Sequence, residues 1–173
     1  DYPFGRKELY GLAYRGDYDL KNHKLSYFDE ENKENFIPHV IEPTFGHGRT
    51  MLAVLLSAYK EEGDRVYLSL KPEIAPVKIA VFPLLKNKEN LVKKAKEVYA
   101  ELRKTFYAVE FDDRGNIGKR YYSQDEIGTP YCVTIDFESL EKNDVTLRDR
   151  DTTKQIRIPI DKLKDYLKEK LNQ

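Results

Sequence analysis

At 173 residues the chain has room for one sizeable core or two small ones. Hydrophobic residues make up 40% and charged residues 35%, and no apolar run approaches the roughly 18 residues that a membrane-spanning helix needs, so no membrane span is expected. Lys+Arg and Asp+Glu balance at 30 each, so global charge does not announce nucleic acid and any such surface must come from local segregation; the second half carries a slight basic excess.

The single cysteine, Cys132, lies in the apolar run "PYCVTIDF", where a small buried residue fits; it rules out a disulfide within the chain and suits a reducing compartment. His23, His39 and His47 are scattered without metal-ligand spacing, and no metal site is expected. The opening "DYPFGRKELYG" has neither a signal-peptide pattern nor an initiator methionine and reads as the middle of a longer polypeptide.

In chain order, "ELYGLAYRG" and "HVIEPTFG" read as strands ending at glycine. Between them "YRGDYDL" reads as a hydrogen-bonded turn through Arg15, Asp17 and Asp19, and "YFDEENKEN" as a solvated loop. "RTMLAVLLSAYKEE" reads as a helix apolar on nearly all sides, hence buried, and "RVYLSL" as a short strand. "LKPEIAPV", with Pro72 and Pro76, marks a boundary.

Beyond it come the strand "VKIAVFPL", the helix "NKENLVKKAKEVYAELRKTF" capped by Asn87, the strand "YAVEFDD", the short helix "IGKRYYSQDEI" and the strand "YCVTIDF". The segments "DVTLRDR" and "KQIRIPI" and a last helix "DKLKDYLKEKL" complete the chain. Alternating strands and helices predict an α/β domain with a mixed sheet flanked by helices, over residues 72–173, after a first domain over residues 1–71.

The stretch "EPTFGHGR" is the densest in chemistry. Strand alternation places Glu42 and Thr44 on one face. Gly46 and Gly48 remove Cβ atoms where a flat or phosphorylated ligand could approach the backbone, and Arg49 opens the helix with a planar cation suited to phosphate or ring contact. From residue types alone the plainer reading is a tight strand-to-helix turn with Glu42 paired to a nearby cation and Arg49 snorkelling at the surface.

"VIEPTFGHGRTM" resembles motif 3 of class II aminoacyl-tRNA synthetases, specifically of homodimeric glycyl-tRNA synthetases of the archaeal and bacterial type. "YPFGRKELYGLAYRGDYDLKNH", "LKPEIAPVKIAVFPL", "GNIGKRYYSQDEIGTPYCVTIDF" and "VTLRDRDTTKQIR" agree in order, and the resemblance covers essentially the whole chain. It implies the end of a class II antiparallel-sheet catalytic domain at 1–71 and an anticodon-binding domain at 72–173.

The resemblance further implies a cytoplasmic glycine-tRNA ligase that uses ATP and Mg2+, with glycine and tRNA(Gly) as partners, a homodimer formed through parts not in this chain, and no membrane. Glu8, Glu42 and Thr44 would bind the glycine ammonium; Glu42, Gly46, Gly48 and Arg49 would bind ATP, with Arg49 catalytic. Threonine at 44 departs from the serine common in the family, and its methyl narrows the pocket.

Lys119, Arg120, Arg148, Asp149 and Arg150 are candidates for anticodon contact, although alternation sets Asp149 on the face opposite Arg148 and Arg150. No motif 1 or motif 2 is recognisable, so the chain is expected to be inactive alone. The alternatives are a non-catalytic nucleic-acid-binding or accessory module of the same ancestry and one half of a split synthetase.

Overall fold

The computed structural model describes residues 1–171; Asn172 and Gln173, at the end of the expected second domain, lie outside the described residues. The chain forms two compact units, Asp1–Val54 and Leu55–Gln173.

In the first unit, strands β1 (Tyr10–Gly16) and β4 (Val40–Phe45) pair antiparallel, with Gly11 opposite Thr44 and Ala13 opposite Glu42. Between them lie the short helix α1 (Tyr18–Asn22) and the strands β2 (Tyr27–Asp29) and β3 (Glu34–Phe36). The last two pair antiparallel, so "YFDEENKEN", expected as a loop, is a hairpin. Its turn is held by the Asp29 carboxylate, which accepts from the backbone N–H groups of Glu31 (2.9 Å) and Asn32 (3.3 Å), a local bond that polarity alone does not reveal.

Helix α2 (His47–Ala58) follows β4, and the boundary between the units falls within it. The helix expected over 49–62 therefore stops early, and Tyr59–Glu62 forms β5, paired antiparallel with β6 (Arg65–Leu68). Glycine explains the change: Gly63 at φ +61° and Asp64 make a two-residue connection between Glu62 and Arg65, which favours a hairpin over a continued helix. Nor is α2 buried all round, since Met51 is 58% exposed and Leu55 and Leu56 also face solvent.

The second unit is built on a five-stranded mixed sheet of order β11-β10-β9-β7-β8, made of β7 (Ile79–Pro83), β8 (Val109–Phe111), β9 (Tyr131–Ile135), β10 (Asp144–Asp149) and β11 (Gln155–Pro159). β7 runs parallel to β8 and β9, while β10 runs antiparallel to β9 and β11. Alternation sorts the two faces. Ile79, Val81, Val133, Ile135, Val145 and Leu147 pack on one side with α3 (Glu89–Arg103) and α6 (Ile160–Leu171). Ala80, Phe82 and Cys132 pack on the other with Ile117 and Tyr121 of α4 (Ile117–Ile127). The expected α/β fold, a mixed sheet flanked by helices, is thus the observed one.

Two local details differ from expectation. Asn87 does not cap α3, which begins at Glu89 with Lys88 in the capping position and no side-chain cap bond. A further helix, α5 (Phe137–Lys142), follows β9: Asp136 accepts from the Ser139 N–H while Ser139 Oγ accepts from the Asp136 N–H, a reciprocal cap that starts a turn too short for apolar periodicity to signal.

Candidate nucleotide and RNA sites

In the first unit the strand pairing creates a polar face with a small-residue floor. Residues directly opposite on antiparallel strands share a face, so Gly11 and Ala13 lie beside Thr44 and Glu42. Thr44 Oγ1 donates to Glu42 Oε1 at 3.1 Å. A Cβ on Gly11 would stand 3.2 Å from Glu8 Oε1 and 3.8 Å from the Thr44 Cβ, so glycine here admits the Glu8 carboxylate beside Thr44. Glu8, Glu42 and Thr44 are thereby brought together, all three exposed. Arg15, which holds Asp19 with Nη2 at 2.7 Å, also approaches Glu42 Oε2 at 3.2 Å. Its guanidinium is held charged above its ordinary range by Asp19 first and Glu42 second.

The two glycines of the turn do different things. A Cβ on Gly46 would meet the Leu9 carbonyl at 2.9 Å, and the Gly46 N–H donates to that same oxygen, so this glycine permits a close backbone approach. Gly48 has open space about it. Arg49 donates one Nη to the Glu8 carbonyl, and its Nε and second Nη have no partner among the described residues. The exposed Arg49 and the open Gly48 at the first turn of α2 fit an anionic, planar ligand such as a nucleotide. Among the described residues no group of three His, Cys, Asp or Glu side chains could hold a metal ion by itself, so a divalent cation here would need the phosphates of a bound nucleotide among its ligands.

In the second unit the arginines singled out in the sequence are buried and committed. Arg148 is 7% exposed and binds the Asp125 carboxylate with both Nη atoms, at 2.8 and 2.9 Å, while Arg65 Nε reaches Asp125 Oδ2 at 2.8 Å. Burial alone would lower the Arg148 pKa, yet Asp125 outweighs it and the net direction is upward. Arg150 donates to the carbonyls of Gly128 (2.6 Å) and Leu70 (2.9 Å) and to Asp151, which also accepts from Ser69 Oγ at 2.8 Å. Burial pushes the Asp151 carboxyl up, but its bonds to Arg150 and Ser69 bring it below the ordinary range. Arg120 donates to the carbonyls of Pro83 (2.6 Å), Leu84 and Asp112.

Asp125 and Arg65, the anchors of this network, were not singled out in the sequence, and nothing in their local pattern marks them. Of the remaining candidates, Lys119 is exposed beside Arg114, and Asp149 is half-buried on the opposite face from Arg148, next to Tyr131 across the strand pair. Tyr121 fills core, edge-on to Phe82 and hydrogen-bonded to Thr134 at 2.6 Å, whereas Tyr122 is exposed. Burial pushes the Cys132 thiol up to about 12, which leaves it inert as a nucleophile.

A family model described as "Anticodon binding domain" matches residues 78–170. Among curated proteins, the chain is 55% identical over 180 residues to a glycine-tRNA ligase of Lachnospira eligens, with 98% of this chain and 38% of that protein covered. It is 51% identical over 181 residues to a glycine-tRNA ligase of Caldanaerobacter subterraneus subsp. tengcongensis, covering 99% of this chain and 38% of the relative. It is 52% identical over 179 residues to one of Thermobifida fusca, covering 95% and 38%. The chain therefore spans 38% of the length of these curated relatives.

Proposed function

The chain belongs to the anticodon binding domain family, and from that premise we propose that it is the tRNA-reading part of a glycine-tRNA ligase, together with a portion of that enzyme's glycine and ATP pocket. Residues 1–71 are read as the end of a class II catalytic domain and 72–173 as the anticodon-binding domain. The reaction is activation of glycine, in which a glycine carboxylate oxygen attacks the α-phosphorus of ATP and pyrophosphate leaves. A tRNA 3'-terminal hydroxyl then attacks the glycyl carbonyl and AMP leaves. Glycine, tRNA(Gly) and a second copy of the enzyme are the proposed partners, and the cytoplasm the proposed location.

The observation that carries this reading is the face on which Glu8, Glu42 and Thr44 meet over Gly11. Glycine has no side chain to grip, so selection must come from charge on its amine and from a space too small for a methyl group. Two carboxylates meet the first need, and the Thr44 methyl helps with the second. Arg15 holds one oxygen of Glu42, leaving the Glu8 and Glu42 carboxylates to share one ammonium. Arg49, proposed as the catalytic residue, would lie against the ATP phosphates at the open first turn of α2, beside Gly48 and the close-packed Gly46. ATP supplies the leaving group. Mg2+ finds no ligand set of its own here.

For RNA, the candidate set divides by availability. Arg120, Arg148 and Arg150 hold the domain together, and contact falls to Lys119 and Asp149, whose polar atoms are not exhausted. In the full-length enzyme carrying this chain, glycine-dependent ATP/pyrophosphate exchange is expected, absent with alanine or serine and lost in Glu42→Ala. Exchange that survives Glu42→Ala overturns the glycine pocket. Absence of exchange in the full-length protein, with tRNA binding retained, leaves a non-catalytic RNA-binding module.

A further inference from the structure

The polar face of the β1/β4 pair ends at an irregularity. Tyr14 lies opposite Ile41 and Gly16 opposite Val40, so Arg15 is an extra residue in β1, a bulge of the kind that re-aims a side chain. Gly16 then takes φ +55° and the chain turns into α1, which brings Asp19 back to Arg15. The other aspartate of this turn is used differently, for Asp17 pairs with Lys21 along α1.

Two carboxylates approach the Arg15 guanidinium, and they receive different things from it. Asp19 takes both hydrogen bonds of the fork, from Nε to Oδ2 at 2.5 Å and from Nη2 to Oδ1 at 2.7 Å. Glu42 Oε2 lies 3.2 Å from the same Nε but accepts no hydrogen bond among the described residues, while Glu42 Oε1 accepts from Thr44. Glu42 thus receives the charge of the arginine and keeps Oε2 as a vacant acceptor. The Glu8 carboxylate, beside Gly11, accepts no hydrogen bond among the described residues either.

A guanidinium and a carboxylate prefer the two-bond fork, which is stronger than a single contact. With Asp19 in place that preference is satisfied away from the vacant acceptor. Without it, Glu42 is the carboxylate within reach of Arg15, and a fork onto Glu42 would consume the oxygen that an ammonium needs. We propose that Asp19 is a positioning residue for the amino acid: it occupies the Arg15 fork and so keeps Glu42 Oε2 free for the substrate ammonium. This role rests on the glycine pocket proposed above, and it belongs to a side chain that acts through Arg15 rather than on the substrate. The ionic states agree with it, since the bond to Arg15 holds the Asp19 carboxyl below its ordinary range and Arg15 stays charged.

An ammonium held alike in the ground state and the transition state contributes to KM and not to kcat. The test is therefore glycine-dependent ATP/pyrophosphate exchange by the full-length enzyme carrying this chain, with both substrates titrated and melting temperatures recorded. Asp19→Ala is expected to raise the glycine KM about tenfold, the equivalent of one hydrogen bond to a charged group, while kcat and the ATP KM change less than about twofold. Asp19→Asn keeps the shape and one acceptor but frees half of the fork, and a rise of about threefold is expected. Asp17→Ala, which breaks the neighbouring pair with Lys21, is the control and should leave the glycine KM within about twofold.

Should Asp19→Ala lower the melting temperature, Asp19→Asn alone decides. A glycine KM unmoved in the folded Asp19 variants overturns the role and leaves the pocket standing. So does an equal rise in Asp17→Ala, or a joint rise in the KM of glycine and ATP, either of which marks a merely structural turn. If the unmutated enzyme shows no glycine-dependent exchange, the pocket reading falls and the role of Asp19 falls with it.

Discussion

The β1/β4 pair and the five-stranded sheet both have charged side chains on or beside their strands, but they dispose of them in opposite ways. On the first, Glu8, Glu42 and Arg49 are exposed, and Arg49 keeps donors without described partners. On the α4 side of the second, Arg120, Arg148 and Arg150 are almost fully buried, and their bonds go to carbonyls and carboxylates. An isolated buried charge is costly unless paired and hydrogen-bonded, so side chains in such a place are structural first. What marks a residue for chemistry is the atoms it has left over. By that measure the β1/β4 face is a working surface and these three arginines are framework.

The sharpest way to break this comparison is to remove one carboxylate from each region. Asp125→Ala strands Arg65 and Arg148 in a site where Asp125 itself is 1% exposed, and a loss of about 3–5 kcal/mol is expected in urea unfolding. Glu42→Ala should leave the unfolding midpoint unchanged within error while abolishing whatever glycine binding the full-length enzyme shows. A small loss for Asp125→Ala would mean that water reaches those arginines, and Arg148 would return to the list of RNA contacts.

Glycine supplies a second contrast, with opposite signs. Gly128 ends α4 at φ +84°, and a Cβ there would meet the Leu70 Cδ1 at 2.8 Å and the Leu68 carbonyl at 2.9 Å. Leu70 can move, but the backbone oxygen and the left-handed conformation cannot be relieved together. Gly128→Ala is therefore expected to cost more than about 1 kcal/mol. Gly48 lies in the first turn of α2 with open space around it, so Gly48→Ala should stabilise by at most about 0.5 kcal/mol, the low end of the mid-helix propensity gain. If the nucleotide reading is right, that same methyl group intrudes on the proposed ATP site, and stability and ATP affinity move in opposite directions. Thermal melts with an ATP titration of the full-length enzyme measure both.

These contrasts also show what a linear reading reaches. The strand "EPTF" placed Glu42 and Thr44 together because a period of two needs only local backbone geometry, and the α4 span 117–127 was legible from its own capping and glycine signals. The same alternation correctly separated Asp149 from Arg148 and Arg150. It carried no information about Asp125, because the carboxylate that pairs Arg148 comes from 23 residues away, and Arg65 comes from 60 residues away on the other side. The β5/β6 hairpin was missed because the apolar period of α2 ran on into Tyr59, and a two-residue turn at Gly63 and Asp64 overrode it.

The smallest expected effect is the most discriminating about pairing. Asp151 has its folded-state pKa lowered: burial opposes ionisation, and the bonds from Arg150 and Ser69 overcome it. A carboxylate with a depressed folded pKa contributes stability above its unfolded value, near 3.9, and loses that contribution as pH falls through the folded value. Wild type should therefore be more stable than Asp151→Asn at neutral pH, with the two urea midpoints converging below about pH 4. Because the Asp151 side chain is 47% exposed, solvent screening keeps the gap small. Asp19 in the first unit is also depressed, by its hydrogen bond to Arg15, but its partner is four residues away on the same short segment. Asp19→Asn should then leave the acid limb of the stability curve where it was. The difference between the two aspartates comes from what each bond joins. Ser69 and Asp151 are 82 positions apart, so protonating Asp151 loosens a long-range closure, whereas protonating Asp19 loosens one turn of chain.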